Sequence, residues 1–218
     1  ILKKELGKLF IPIIMDVTNE ESIYKAKNAI EQQISNKKLD VLINNAGIAL
    51  GGPIKYIDTD MFRKQFEVNL FGVVSVTNAF LKLLGATENN YHKGKIIMIS
   101  SISGKRSYPF VSPYVASKHA LEGLSDCIRK ELMLYGIDVV LIEPGPVKTA
   151  IWDKAPSPND NPFSKTEYDA ILKKFYKMVI EQGKLGIEAN VVSKKIKKII
   201  EMKKPKTRYV ITGKKLIN

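Results

Sequence analysis

A chain of 218 residues with 44% hydrophobic and 26% charged residues is ordinary for one soluble globular core and excludes a disordered or fibrous class. No apolar run approaches the ~20 residues of a membrane span and no signal-like segment opens the chain; a lone Cys127, which fits a reducing, cytoplasmic setting, excludes an intrachain disulfide, and with only His92 and His119 beside it argues against a zinc site. The formal charge of +13 rests on 31 Lys against 4 Arg, dispersed rather than massed, which argues against nucleic-acid recognition because base and phosphate contacts favour the guanidinium.

Residues 1–6 read as the last turn of a helix stopped by Gly7. Phe10 to Met15 reads as a short buried strand ending at Asp16, and Ile23, Ala26, Ala29, Ile30 and Ile34 predict a helix over about 20–35. Val41-Leu42-Ile43 is the next strand and feeds the turn Asn44-Asn45-Ala46-Gly47. A long helix follows over about 60–84, capped by Asp58 or Thr59. Ile96 to Ile99 is a strand, and Pro113 to Tyr135 a helix with proline near its first turn. Val139 to Ile142 is a strand stopped by Pro144-Gly145-Pro146, and the proline-rich stretch 153–165 reads as a mobile loop. Helices are expected near 166–182 and 188–202, then a last strand over Tyr209 to Thr212. The lysine pairs near 194–204 suit the wet face of a helix whose apolar face carries Val191, Val192, Ile196, Ile199 and Ile200. Strands alternating with helices predict a doubly wound parallel α/β sheet, a Rossmann-like single domain over residues 1–218, with ligand at the carboxyl ends of the strands.

The candidate chemistry gathers at those ends. Tyr114 and Lys118 are four apart on one helical face, about 6 Å apart at Cβ. A tyrosine has an ordinary pKa of about 10, so an adjacent ammonium that stabilises the phenolate makes it a usable acid or base. Ser101 follows the apolar strand 96–99, where its hydroxyl can meet the same substrate oxygen. Tyr-x-x-x-Lys alone is weak evidence. An Asn-Asn-Ala-Gly turn, then Ser100-Ser101, then Tyr114-Val-Ala-Ser-Lys118, in that order, is specific.

This ordered set resembles the short-chain dehydrogenase/reductase family over nearly the whole chain. The resemblance implies an NAD(P)-dependent oxidoreductase interconverting an alcohol and a carbonyl. Tyr114 would be the general acid/base, Lys118 would lower its pKa and bind the nicotinamide ribose, and Ser101 would hold the substrate oxygen, with Ser103 shaping the pocket. Asn69, mid-helix where Asn is a poor fit, would complete a proton relay from a locally distorted helix. Asp16 with Val17 would meet the adenine, with a helix cap as the plainer role. Asn45, Ala46 and Gly47 would line the adenosine-side ribose. Pro144, Gly145, Val147 and Thr149 would sit beside the nicotinamide. The motif context is similar to members acting on apolar alcohols, and residues 150–185 would shape a substrate lid with Trp152 and Phe163 as apolar walls.

No Gly-x-x-x-Gly-x-Gly turn for a pyrophosphate follows any strand in this sequence. By the resemblance, Phe10 to Met15 would be the third strand of an order 3-2-1-4-5-6, so the first two strands are expected from a further segment of roughly 40 to 50 residues or from another chain. Without them a gap of about 10 Å opens in the sheet. A helical tail after the last strand is likewise expected. NAD and NADP stay open, because the discriminating residue follows the second strand. Rival readings are a non-catalytic dinucleotide-binding or sensing protein of the same fold, and a basic scaffold for acidic surfaces. Broad apolar faces on helices 60–84 and 113–135 predict a homodimer or homotetramer formed through them.

Overall fold

Alternation along one strand decides the architecture. In β2 (Lys95–Ile99), Ile96 and Met98 face one hydrophobic core while Ile97 faces another, as the period of two requires. The neighbouring strand β3 (Asp138–Pro144) repeats the division, with Val139 and Leu141 on the first side and Val140 and Ile142 on the second. Both strands are covered on both faces, so their sequences read as nearly continuous apolar runs. In the computed structural model, residue 7 and residues 10–34, 38–88, 93–152 and 161–213 are described. The main sheet is parallel in the order β1-β2-β3-β6, with β1 at Val41–Asn44 and β6 at Arg208–Ile211. A small parallel pair, β4 (Val147–Lys148) and β5 (Ile187–Glu188), lies beside it.

On the first face lie α1 (Glu20–Gln33), α2 (Thr59–Phe66), α3 (Gly72–Leu84) and α4 (Ser112–Leu132). Their buried residues Ile23, Val73, Val76, Phe80, Leu83 and Leu121 join the core of β2 and β3. Each such fully buried aliphatic side chain contributes roughly 1.5–3 kcal/mol. The second face is closed by α6 (Ala189–Glu201) through Ile199, after α5 (Asp169–Lys184) has carried the chain around. Val192, Ile196 and Ile200 also pack there, whereas Val191 is turned outward among the lysines and leaves the expected apolar stripe.

Helix starts follow capping chemistry. Asn19 accepts from the Ser22 amide at 2.8 Å ahead of α1, and Asp58, not Thr59, caps α2 by accepting from Met61 N at 2.8 Å. α3 ends on Gly85 in the left-handed region at φ 109°. Between α2 and α3 the expected single helix carries a π turn, Glu67–Phe71.

Two expectations are corrected. Residues 10–15 form no strand and join no described ladder, with Ile14 98% exposed. A strand exists only through a ladder partner, and β1, the edge strand of the described sheet, pairs with β2 alone. The continuous helix Thr59–Leu84 is, at 26 residues, long and apolar enough by length and composition to cross a membrane, contrary to the reading of the sequence. Half of its apolar window is buried within the domain, so this apolarity serves the core. The helix turn expected over residues 1–6 and the final residue of the helix expected over 20–35 lie outside the described residues; Gly7 itself has a positive φ of 56°.

Candidate active site

Parallel strands deliver their carboxyl ends to one edge, and the singled-out residues collect there. Beyond β2 the chain turns through Ser100 and Ser101 into a short 3-10 turn, Ile102–Gly104, whose Ser103 amide donates to Ser101 Oγ at 3.1 Å. Pro113 then starts α4, which places Tyr114 in its first turn. The Ser101 hydroxyl stands close enough to the Tyr114 phenol to favour its ionised form. One turn on, Lys118 is only 7% exposed; its ammonium donates to the Ile99 carbonyl oxygen at 2.8 Å and lies 5.9 Å from the Tyr114 ring centroid.

The electrostatics differ from the sequence expectation in one respect. Burial pushes the Tyr114 phenol up, and the Ser101 hydroxyl is what opposes that rise. The expected lowering by Lys118 is not found, because the ammonium is anchored on a backbone carbonyl instead of the phenol oxygen. Burial pulls Lys118 down to about 8, against the charge of Glu122 one turn further along α4. A phenol kept neutral in a desolvated site is poised to donate a proton.

Asn69 sits in the π turn, 1% exposed. Its amide nitrogen donates to Ile48 O at 3.0 Å and to Ser117 Oγ at 3.1 Å, and its oxygen accepts from Ile48 N at 2.9 Å. Ser117 Oγ in turn donates to the Tyr114 carbonyl at 2.7 Å, so the π turn is tied to the first turn of α4. These bonds compensate for Asn inside a helix. They also engage both amide hydrogens, which leaves any part in proton relay to the backbone of the distorted turn. Gln65, fully buried, clamps the same loop by donating to Ile48 O and accepting from Leu50 N, both at 2.7 Å. Sequence reasoning passed over Gln65 and Ser117; a polar residue on the apolar side of a helix was the available signal.

The residues expected to hold a dinucleotide line the same edge. Asn45, Ala46 and Gly47 are exposed just beyond β1. A Cβ on Gly47 would meet Asn69 Oδ1 at 3.4 Å, so this turn lies directly against the π turn. Asn44, which precedes them, is buried and donates to Thr77 Oγ1 at 3.0 Å, fixing the turn to α3. Val17 packs where Gly72 has no side chain, since a Cβ there would come within 2.9 Å of it. Asp16 is exposed, and its carboxylate accepts from Thr18 N at 2.9 Å and Thr18 Oγ1 at 2.8 Å, which holds it below the usual carboxylate range. It is therefore not the cap of α1; Asn19 is. Pro144 ends β3, Gly145 N donates to Ile211 O at 2.9 Å, and the Val147 carbonyl is taken by the Trp152 indole at 2.6 Å. Thr149 is exposed beyond β4. Exposed small residues, a bare strand-end rim and one buried ammonium fit a nicotinamide dinucleotide at this edge, on the chemistry of the donors.

An aromatic cluster gathers on Phe110, just ahead of α4. Phe110 has a positive φ of 63°, a strained conformation for an aromatic residue. It is held there by edge-on ring contacts with Tyr168 at 6.0 Å and Phe175 at 5.3 Å, while Tyr56 packs edge-on against Tyr168 at 6.0 Å. Its carbonyl lies over Gly51, where a Cβ would come within 2.2 Å. Phe163, expected as a lid wall, packs on Gly52 and Ile57. Trp152 is pinned against Gly183 of α5, where a Cβ would come within 2.5 Å of the indole. The Tyr56, Phe110, Tyr168 and Phe175 cluster joins segments far apart in sequence, and nothing in their local spacing announced it. Residues 153–160 of the expected lid loop lie outside the described residues.

A family model described as short chain dehydrogenase matches residues 2–160. The chain is 43% identical over 208 residues to an NADPH-dependent 3-dehydrocapnine reductase of Ornithobacterium rhinotracheale, covering 95% of this chain and 73% of that protein. It is 32% identical over 206 residues to a 3-ketodihydrosphingosine reductase of Bacteroides thetaiotaomicron, covering 94% and 73%. A solved short-chain dehydrogenase from Streptomyces avermitilis superposes with a TM-score of 0.74 at 25% identity, over 97% of this chain and 74% of that one. Across curated relatives, this chain spans from 42% to 73% of the relative's length.

Proposed function

This chain belongs to the short-chain dehydrogenase family of NAD(P)-dependent oxidoreductases, and from that premise we propose that it reduces an apolar ketone at the Ser101, Tyr114 and Lys118 site. The observation that carries the reading is the half-buried Tyr114 phenol, held neutral by desolvation beside Ser101, with the buried Lys118 ammonium 5.9 Å from its ring. The nicotinamide, when bound, supplies the hydride. Tyr114 gives its proton to the substrate oxygen, and Ser101 donates a hydrogen bond to that oxygen. Lys118, anchored on the Ile99 carbonyl, reaches the nicotinamide ribose. Asn69 keeps the π turn locked to α4 and serves proton resupply through its backbone. Asp16, Val17, Asn45, Ala46 and Gly47 serve the adenosine half of the cofactor, and Pro144, Gly145, Val147 and Thr149 the nicotinamide half.

The ring cluster of Tyr56, Phe110, Tyr168 and Phe175 supports an apolar substrate, and the names of the 3-dehydrocapnine and 3-ketodihydrosphingosine reductases support a long-chain 3-keto compound. The first of those names also supports NADPH over NADH. Consumption of NADPH in the presence of 3-ketodihydrosphingosine is the direct test. No turnover of either cofactor across a panel of long-chain and aromatic ketones would favour the non-catalytic dinucleotide-binding reading.

Residues 150–185 form the substrate lid in this proposal, hinged where Trp152 rests on Gly183. Gly183→Ala is expected to displace the indole, cost about 1–3 kcal/mol as an overpacked site, and raise KM more than it lowers kcat. Equal KM in steady-state assays of both forms would refute the lid role. The protein is further proposed to self-associate through α2–α3 and α4 in a reducing, cytoplasmic setting consistent with its free Cys127. Phe71, 52% exposed on the π turn, adds apolar surface to that face. A dimeric or tetrameric mass is expected by light scattering at micromolar concentration; a monomer would refute it.

A further inference from the structure

Behind Lys118 lies a buried charge cluster that no step above uses. Glu122 is 3% exposed on α4 and Glu143 is 4% exposed on β3. Arg208, from β6, donates to Glu122 Oε2 at 3.0 Å and to Asp126 Oδ2 at 2.6 Å, and its Nε lies 3.5 Å from Glu143 Oε1. Lys105, after the 3-10 turn, stands 3.3 Å from Glu122 Oε2. The groups facing Glu122 are thus Lys118 and Asp126 on its own helix, Lys105 from the loop, Glu143 from β3 and Arg208 from β6. The cations all approach from the Oε2 side. Glu122 Oε1 and Glu143 Oε1 are both buried and have no hydrogen-bond donor among the described residues. The two carboxyl groups converge on Arg208 Nε, Glu122 Oε2 at 3.0 Å and Glu143 Oε1 at 3.5 Å.

Two buried carboxylates that converge on one guanidinium nitrogen, each keeping an oxygen without a hydrogen-bond partner, repel each other and are under-satisfied. One proton removes both faults, because a protonated carboxyl donates to its ionised neighbour. We propose that Glu122 and Glu143 share one proton, and that the charge remaining on Glu122 holds Lys118 as an ammonium, which makes Glu122 a positioning residue for the active-site lysine. Burial and the charge of Glu122 both push the Glu143 carboxyl up, which places the proton on the β3 side. The carboxylate of Glu122, one helical turn from Lys118, offsets part of what burial takes from it. The proposal rests on the reading of Lys118 as an active-site residue, but its test needs neither cofactor nor turnover.

Infrared spectroscopy of the full-length protein without cofactor reads the shared proton, and NMR of ¹⁵N-labelled lysine side chains, with the Lys118 signal assigned by its loss in Lys118→Arg, reads the charge. The wild-type protein is expected to show a protonated-carboxyl band at neutral pH. Glu143→Gln and Glu122→Gln should each abolish it, since an amide N–H takes the place of the proton. The Lys118 titration midpoint should fall by roughly one pH unit in Glu122→Gln and stay unchanged in Glu143→Gln, which mimics the neutral acid. Absence of the band in the wild type, its retention in Glu143→Gln, or an unmoved midpoint in Glu122→Gln would overturn the proposal. Should Glu122→Gln fail to fold, Arg208→Gln replaces it: freeing Glu122 from its guanidinium should raise the Lys118 midpoint, and an unmoved midpoint there is equally decisive against.

Discussion

Replacing Tyr114 by Phe is expected to lower kcat by roughly 10²- to 10⁴-fold, the usual contribution of a positioned proton donor, while cofactor affinity stays within a few-fold. The ring packs in the first turn of α4 and keeps its place in the variant. Only the phenol hydroxyl beside Ser101 is lost. A defect confined to a group that acts in the transition state lowers kcat and kcat/KM together. Steady-state kinetics beside a fluorescence titration with NADPH separate the two quantities, and retention of most activity in Tyr114→Phe would remove this residue from the mechanism.

The second large effect is on stability. Lys118 is expected to carry a folding penalty at neutral pH, because burial lowers its pKa from 10.5 to about 8. Between these values the unfolded chain binds more protons than the folded one, so stability rises with pH. The penalty is fully present below pH 8 and relieved as pH approaches 10.5, amounting to about 3 kcal/mol at 1.36 kcal/mol per pKa unit. Tyr114, whose pKa is raised, opposes this only above its unfolded value near 10, which leaves the window from 8 to 10 to the lysine. Urea denaturation across that window should show the rise in the wild type and its loss in Lys118→Met. The same variant should bind NADPH more weakly. An identical slope in both proteins would mean that the buried amine is not the source. A cation kept in this setting at such a cost is what a functional site predicts.

Most elements were legible because they depend on local periodicity. The runs at 41–43, 96–99 and 139–142 became β1, β2 and β3 with an extension of a residue or two at their ends. Helix 113–135 was read to within a residue at its start, and its end tightens into a 3-10 turn at Met133–Tyr135. Phe10 to Met15 failed for a reason no window of sequence contains: its apolar residues suit a strand, but a strand is a relation between hydrogen-bonded chains, and residues 10–15 pair with none of the described strands. The π turn at Asn69 was foreshadowed by an asparagine where a helix disfavours it, although its partners, Ile48 and Ser117, were not.

By itself the sequence determined the spacing of Tyr114 and Lys118 on one helical face, the serine pair after an apolar strand, and the order of these motifs along an alternating α/β chain. Each follows from residues only a few positions apart, where backbone geometry leaves little choice. Tertiary structure alone decided what surrounds the lysine. Arg208 reaches Glu122 across 86 positions of sequence, and it stands beside Glu143 only because β6 pairs with β3 in one register, Arg208 opposite Leu141. A shift of one residue would turn Arg208 to the other face of the sheet. The proton donor is therefore written in the helix, while the charge state of the amine behind it is set by strand pairing, since electrostatic neighbours in a desolvated core are chosen by register and not by sequence distance.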